Sequence, residues 1–467
     1  MAVDEETPLL VSTAELAHEV VYARFSLRQK RTISALVSCS ALIPMFAGAS
    51  FIPSIPEIAR DLDSTPKVIS LAVSISIFSS AVGSMIFASY SSYYGRRLVY
   101  LVGLPLLCIG SLGVASATTV PGLMWWRVVQ AFGSSGGMSV GGGVISDIYK
   151  LTERGTAMGV FLAAALLGNA LAPIIGGWVA HYASWRYLQL GLAVFGGFLV
   201  AAMLSYLPET SHPGMTGLEK AHADDTTRPP FRWVWLNPVA SLWFLRSPNL
   251  ALISFSSAAI LVTEFGLQVP MAQTIGVRYG ITNEALIGAC FIPMGLGNIV
   301  GAPLAGWFSD RTVVKWRAKR GGVWVPEDRL RGAQIGAVLL VPLAMLTSGV
   351  ATTYIPGPAG LALNLLCFFV NGVGVDLVLS PGSAYSVDVL RVHSAEVMAA
   401  SAGMRSLLLS AAVAGILPSI EHNGVLATDA LGACFAWSGF LAIWLVIRYG
   451  DRMRAWVDVG YSTVENN

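Results

Sequence analysis

Glu264 and Asp376 are the residues of this 467-residue chain best placed to do chemistry, because each interrupts a long apolar run. An ionised carboxylate is expensive in an apolar medium, so a carboxyl group held there either finds a counter-charge or exchanges a proton. Arg127 and Arg405 interrupt apolar runs in the same way and offer such a counter-charge. A carboxylate tied to either arginine would be structural glue, and two acids with two arginines leave the sign of any bound molecule open. Gln130, Asn169, Gln268, Asn298 and Asn371, with Phe46 and Phe51, are candidates for the lining of a small-molecule cavity. They fit hydrogen bonds between helices equally well.

Other chemistries find no constellation. No histidine cluster and no nucleophile with a base at catalytic spacing occurs, so neither an enzyme nor a metal or cofactor site is expected. His18-Glu19-Val20-Val21 ends in Tyr22 rather than a second histidine, which removes the zinc-protease reading. Cys39, Cys108, Cys290, Cys367 and Cys434 each lie in apolar sequence without metal or redox spacing and read as packing residues. Gly133, Gly137 and Gly141 belong to a glycine-rich run with no strand before it, so a phosphate loop is excluded. Their four-residue spacing instead gives a helix face that a neighbour can approach closely. A net charge of +2, from 29 basic and 27 acidic residues, provides no field suited to nucleic acid.

The elements that position these residues follow from composition. Hydrophobic residues make up 54% of the chain and charged residues 12%, which is far from a water-soluble protein. Apolar stretches near 32–56, 68–88, 98–117, 122–146, 156–179 and 187–206 form one block of six spans, each near the ~20 residues that cross a bilayer as a helix. A second block lies near 249–272, 285–308, 333–353, 359–382, 397–418 and 426–447. Between them runs a polar linker, 207–248, with Asp224, Asp225, Pro229 and Pro230, then an amphipathic, interfacial stretch with Trp233, Trp235 and Trp243. The expected units are therefore a tail (1–31), two six-helix bundles (32–206 and 249–447) joined by that linker, and a second tail (448–467). On alternate sides of such a chain the loops and tails hold 23 and 4 basic residues, which places both termini in the cytoplasm. The first thirty residues lack the short apolar core and cleavage site of a signal peptide, leaving insertion to the first span.

Several motifs repeat or are specific. Between spans 2 and 3 stands Ala88-Ser-Tyr-Ser-Ser-Tyr-Tyr-Gly95-Arg96-Arg97, and between spans 8 and 9 Gly306-Trp-Phe-Ser-Asp310-Arg311. A small residue for close packing, a carboxylate at a helix end and facing arginines suit a charge latch, in which Asp310, Arg311 and the basic run Lys315 to Arg320 would take part. Span 4 carries Arg127-Val-Val-Gln130, and span 5 Gly168-Asn-Ala-Leu-Ala172-Pro173-Ile-Ile-Gly176-Gly177, where the proline permits a bend. Together these resemble the signature motifs of the major facilitator superfamily, the last one being similar to the motif that marks its antiporters. Ser146-Asp147-Ile148-Tyr149, Leu207-Pro-Glu-Thr210, Pro326-Glu-Asp-Arg-Leu330, Tyr385-Ser-Val-Asp388 and Met404-Arg405-Ser406-Leu407 extend the resemblance to fungal 12-span drug:proton antiporters, nearest to the quinidine-resistance branch.

The resemblance implies an all-α membrane protein of twelve helices in two pseudo-symmetric bundles, a monomer in the lipid bilayer, whose partners are protons and a small organic substrate. It implies export by alternating access, the cargo being drugs, secondary metabolites or organic acids. A facilitator or importer of an organic acid is the alternative, and a transporter-like receptor a more distant one. The plasma membrane is favoured. Glu5-Glu-Thr-Pro-Leu9-Leu10 is similar to an acidic dileucine signal and would point to a vacuolar or endosomal membrane instead.

Overall fold

A computed structural model describes residues 22, 24–212, 216–221, 234–390 and 394–457, all helical or irregular with no strand among them. The dileucine-like run, the acidic and proline-rich part of the linker and the last ten residues lie outside them. Helices are what an apolar medium demands, since each satisfies its own backbone N–H and C=O groups. The first half comprises α1 (Leu27–Ala49), α2 (Pro66–Tyr94), α3 (Arg96–Ala115), α4 (Val120–Ile148), α5 (Leu151–Tyr182) and α6 (Trp185–Tyr206). The second comprises α7 (Pro248–Gln268), α8 (Ile292–Lys319), α9 (Val341–Tyr354), α10 (Gly357–Val389), α11 (Ser394–Asn423) and α12 (Val425–Trp456).

Their starts are written locally. The Ser26 hydroxyl accepts the Gln29 N–H in a capping box, and Thr65 and Thr119 cap α2 and α4 just ahead of Pro66 and Pro121. Three spans are longer than their regular helix, that of α8 beginning with the short helix Glu284–Ala289. After α7 the chain passes Pro270 and a π-turn before ending at Tyr279, and α9 is preceded by a 3₁₀ segment from Pro326, seven residues before the apolar run begins. Eleven of the twelve helical spans are long and apolar enough to cross a membrane. The exception is α4, diluted by its own glycines and serines and by Arg127 and Gln130.

Packing follows one rule in both halves. In the first, α1 packs on α4 and α5, α2 on α4, and α3 on α4 and α6; in the second, α7 packs on α10 and α11, α8 on α10, and α9 on α10 and α12. Adding six to each helix number converts the first set into the second, as a duplicated bundle requires. The halves meet where α2 lies along α11 and where α5 meets α8 and the short helix Glu284–Ala289 before it. Close approach needs glycine at particular places: a Cβ at Gly137 would collide with the Ser40 carbonyl, and one at Gly133 with the backbone of Leu107. Lipid-facing surfaces are apolar, with Val194, Phe198, Trp125 and Leu431 all exposed.

The start of α1 and the end of α12 lie on one face, called here the terminal face; the opposite one is the far face. At the far face the halves are closed on each other. Arg60 pairs with Glu284, whose other oxygen lies 3.1 Å from Nδ1 of His181, and Lys67 Nζ lies 2.7 Å from Glu421. Beneath these pairs one hydrophobic cluster joins both halves, from Phe51 and Trp185 to Met271, Phe291 and Leu409. Gly288 sits against the Pro173 carbonyl and Gly177 against the Glu284 carbonyl, so a side chain at either would act as a wedge. Accordingly, in a chain whose native cysteines are replaced, the pair Lys67→Cys and Glu421→Cys should cross-link rapidly under mild oxidation. Adding Gly288→Val should slow that cross-link several-fold, and an unchanged rate would contradict the tight far-face closure.

Candidate functional site

Between the halves lies a cavity of about 340 Å³, lined by both. That volume falls in the range of small-molecule sites. From the first half come Met45, Ile77, Ser80, Arg127, Gln130 and Asn169; from the second Glu264, Phe265, Gln268, Asn298, Asp376 and Arg405.

Arg127 is 2% exposed yet well supported. Its Nη1 donates to Gln130 Oε1 at 2.7 Å and to the Ala47 carbonyl at 3.3 Å, and the guanidinium lies 4.3 Å from the centre of the Phe51 ring. One helical turn separates Arg127 from Gln130, which places both on the inner face of α4. Gln130 then donates to Ser111 Oγ at 2.8 Å and to Gln189 Oε1 at 2.7 Å. The spacing Arg-x-x-Gln thus makes a sequence of hydrogen bonds that spreads one buried charge over α1, α3, α4 and α6, at a site where bare burial would cost several kcal/mol.

The opposite wall holds the acids. Glu264 Oε1 accepts from Gln268 Nε2 at 3.1 Å and from Asn298 Nδ2 at 3.2 Å, amides supplied by the next turn of α7 and by α8. Asp376 stands on α10 against Gly301 of α8, close enough to Glu264 for their charges to repel. Its Oδ2 is buried without a hydrogen bond, and among the described residues neither acid forms an ion pair. Arg405 enters from α11, likewise without a hydrogen-bond or ion-pair partner among the described residues.

Some sequence candidates stand elsewhere. Asn371 is fully buried and donates to Thr263 Oγ1 at 3.1 Å, tying α10 to α7 outside the cavity lining. Phe46 packs into the core of the first half, and Phe51 lies beneath Arg127. Pro173 and Gly177 are at the contact between the halves, whereas Gly176 faces Ser50 of its own half. Asp429, inside α12 and 4% exposed, is a membrane carboxylate that sequence reading passed over because it lies one turn from the helix start.

On the terminal face the two motif loops build matching charge pairs. Arg96 Nε donates to Asp147 at the end of α4 at 3.1 Å, and Arg329 Nε donates to Asp388 at the end of α10 at 2.8 Å. Gly95 has φ +98, a left-handed conformation that favours glycine. The first loop has Ser92 where the second has Asp310, and Glu209 supplies the carboxylate instead: it accepts the N–H groups of Arg96 and Arg97 at 2.9 and 3.1 Å. Burial alone would raise the Glu209 carboxyl, but N–H groups from Ser211, Arg96 and Arg97 outweigh it and hold it below the usual range. The second loop departs from expectation. Asp310 pairs with Arg329 at 3.2 Å, while Arg311 lies over the Trp307 ring, and a Cβ at Gly306 would meet open space, so close packing does not require that glycine. Arg329 belongs to the Pro326–Leu330 motif, but its pairing with Asp310 and Asp388 is not legible in the sequence because those partners are 19 and 59 residues away.

The family model of the Major Facilitator Superfamily matches residues 37–415. The chain belongs to the major facilitator superfamily. It is thus a multi-pass membrane transporter rather than an enzyme. Among relatives, the efflux pump radE of Floropilus chiversii is 26% identical, covering 92% of this chain and 81% of its own. The transporter fsa7 of a Fusarium species is 27% identical, covering 92% and 86%. Solved superfamily structures share the fold: a peptide transporter in complex with sulfate has a TM-score of 0.69 at 14% identity, covering 93% of this chain and 99% of that one. A bacterial homologue of the human lysosomal transporter Spinster, in an inward-facing and unoccupied conformation, has a TM-score of 0.65 at 12% identity, covering 92% and 98%.

The far-face closure of this transporter contains its own titrating group. Glu57, on the short helix Ile55–Asp61, accepts the Trp185 N–H. Burial pushes its carboxyl up to about 7; the Trp185 N–H opposes that, while Glu284 and Asp61 add repulsion. The folded protein therefore keeps this proton to higher pH than the unfolded chain does. The resulting stabilisation is full below about pH 4.5 and lost as pH rises through about 7. Glu57→Gln should flatten the fall in melting temperature across that window, which differential scanning fluorimetry over a pH series would read.

Proposed function

We propose that this transporter exports small organic compounds in exchange for protons, by alternating access of the cavity between its halves. The observation that carries the reading is the pair of carboxylates, Glu264 and Asp376, in the cavity wall without a counter-cation. A low-dielectric site penalises both acids ionised side by side, and no arginine neutralises them directly. Protonation relieves that penalty, and so does a bound substrate that places positive charge or hydrogen-bond donors against the ionised carboxylates. Occupancy by one therefore opposes occupancy by the other, which is the thermodynamic requirement of exchange.

Further support comes from the relatives named efflux pumps and from Pro173, Gly176 and Gly177, which resemble the antiporter motif and lie where α5 must slide or rock. The bundles 32–206 and 249–447 are the rocking units, and one chain completes the cavity, so a monomer suffices. The 23-to-4 division of basic residues supports a cytoplasmic terminal face, with the plasma membrane as the site of export. The far-face latch described above then closes the cavity to the outside.

The test is purified protein in liposomes that enclose a pH-sensitive dye, challenged in turn with cationic drugs, polyamines and dicarboxylic acids. Addition of a substrate should move protons. Glu264→Gln or Asp376→Asn, whichever removes the coupling proton, should cut substrate-driven proton movement by about tenfold or more, since an amide does not titrate. Substrate equilibration with no proton signal in the unaltered protein would replace the exchanger with a facilitator.

A further inference from the structure

Where α8 leaves the bilayer it presents a face that the transport reading does not use. With 28 residues, α8 is ~42 Å long at ~1.5 Å per residue, against a hydrocarbon core of ~30 Å. Its last two to three turns therefore stand in the headgroup layer on the terminal face. One side of the helix packs on α10 through Gly297 and Gly301, and α5 approaches near Gly295. Away from both, Leu296, Val300 and Leu304 are 49%, 42% and 37% exposed, an apolar stripe along the membrane-spanning part of the helix. A three-residue step from Leu304 reaches Trp307, and four-residue steps from there reach Arg311 and Lys315 on the same side of the helix.

Trp307 is 46% exposed and carries the Arg311 guanidinium 3.9 Å above its ring. This is an aromatic anchor at the depth where interfacial tryptophans sit, with a cation fixed on its headgroup side. Arg311 and Lys315 are exposed and meet no carboxylate among the described residues. The nearest acid in sequence, Asp310, is engaged by Arg329. By contrast Arg320 and Arg331, on the inner side, are both taken by Asp328. Arg317, which donates to the Gly322 carbonyl, and Lys319, over the Trp316 ring, also meet no carboxylate among the described residues. Of these cations, Arg311 and Lys315 are the ones in line with the apolar stripe.

We propose that this face binds the headgroup of an anionic phospholipid, with Arg311 and Lys315 holding the phosphate and the Leu296–Trp307 stripe receiving an acyl chain. The match is one of charge and of depth: cations at the headgroup layer stand directly beyond apolar side chains at the acyl layer. A soluble polyanion would satisfy the cations but leave the apolar stripe unused.

The full chain in detergent would be titrated with phosphatidylglycerol, phosphatidylcholine and inositol hexakisphosphate, and bound species counted by native mass spectrometry. Phosphatidylglycerol should be retained over phosphatidylcholine. The double variant Arg311→Gln, Lys315→Gln should weaken that retention roughly tenfold or more, with phosphatidylcholine binding and melting temperature unchanged. Lys315→Glu alone, at an exposed position, should act in the same direction and guards against a folding defect in the double variant. Retention of phosphatidylglycerol by both variants at the unaltered level would overturn the proposal. Binding of inositol hexakisphosphate as tight as that of phosphatidylglycerol would overturn it as well, by assigning the cations to a soluble anion.

Discussion

Everything in this transporter is arranged around the cost of holding four charges where water cannot solvate them. Arg127 meets most of that cost: Gln130, the Ala47 carbonyl and the Phe51 face surround it and Gln130 passes the polarity on to Ser111 and Gln189, leaving its buried Nε without a hydrogen bond. Glu264 meets it in part, with two amide donors and no cation. Asp376 and Arg405 are left with the cavity as their only outlet. The gradation runs across the cavity, from a rigid wall in the first half to an unsatisfied one in the second. An unsatisfied wall is what a proton or a substrate can change.

The duplicated architecture lets that local change become a large movement. The two halves meet chiefly along α2 with α11 and along α5 with α8 and the short helix Glu284–Ala289, and these contacts involve small residues and ion pairs that can part. The far face is closed by Arg60, Glu284, His181, Lys67 and Glu421 over a shared apolar cluster. The exposed pair Lys67–Glu421 contributes at most about 1 kcal/mol. Glu284, by contrast, is buried between Arg60 and His181 over the apolar cluster, so the closure rests on that cluster and on the buried carboxylate rather than on surface charge. On the terminal face Arg96 with Asp147 and Arg329 with Asp388 brace each half internally instead.

Much of this was legible in the sequence because membrane spans follow from apolar length and loop charge, which are local properties. The weakest span by hydropathy, α4, was still found, since Arg127-x-x-Gln130 and the glycine spacing explain its dilution. The cavity residues Arg127, Gln130, Asn169, Glu264, Gln268, Asp376 and Arg405 were visible as polar exceptions in apolar runs. What each exception touches was not visible. Asn371 carries the same signal as Asn169 yet faces a helix contact, because a shift of one or two positions around a helix decides between cavity and core. Glu284 and His181 gave no signal at all: they stand at helix ends, and their pairing spans 103 residues. The substitution of Glu209 for the aspartate absent at Ser92 was equally hidden, since it depends on the fold bringing residue 209 back to residue 96.

In the proposed exchange, substrate and proton oppose each other at the Glu264 and Asp376 wall. The most direct measurement is proton release by the purified, unbuffered protein when a transported compound is added, followed with a pH electrode near neutrality. The account predicts protons released in proportion to compound bound, and none from a protein with both acids replaced by amides. Saturating binding with no change in pH, or with proton uptake, would contradict it.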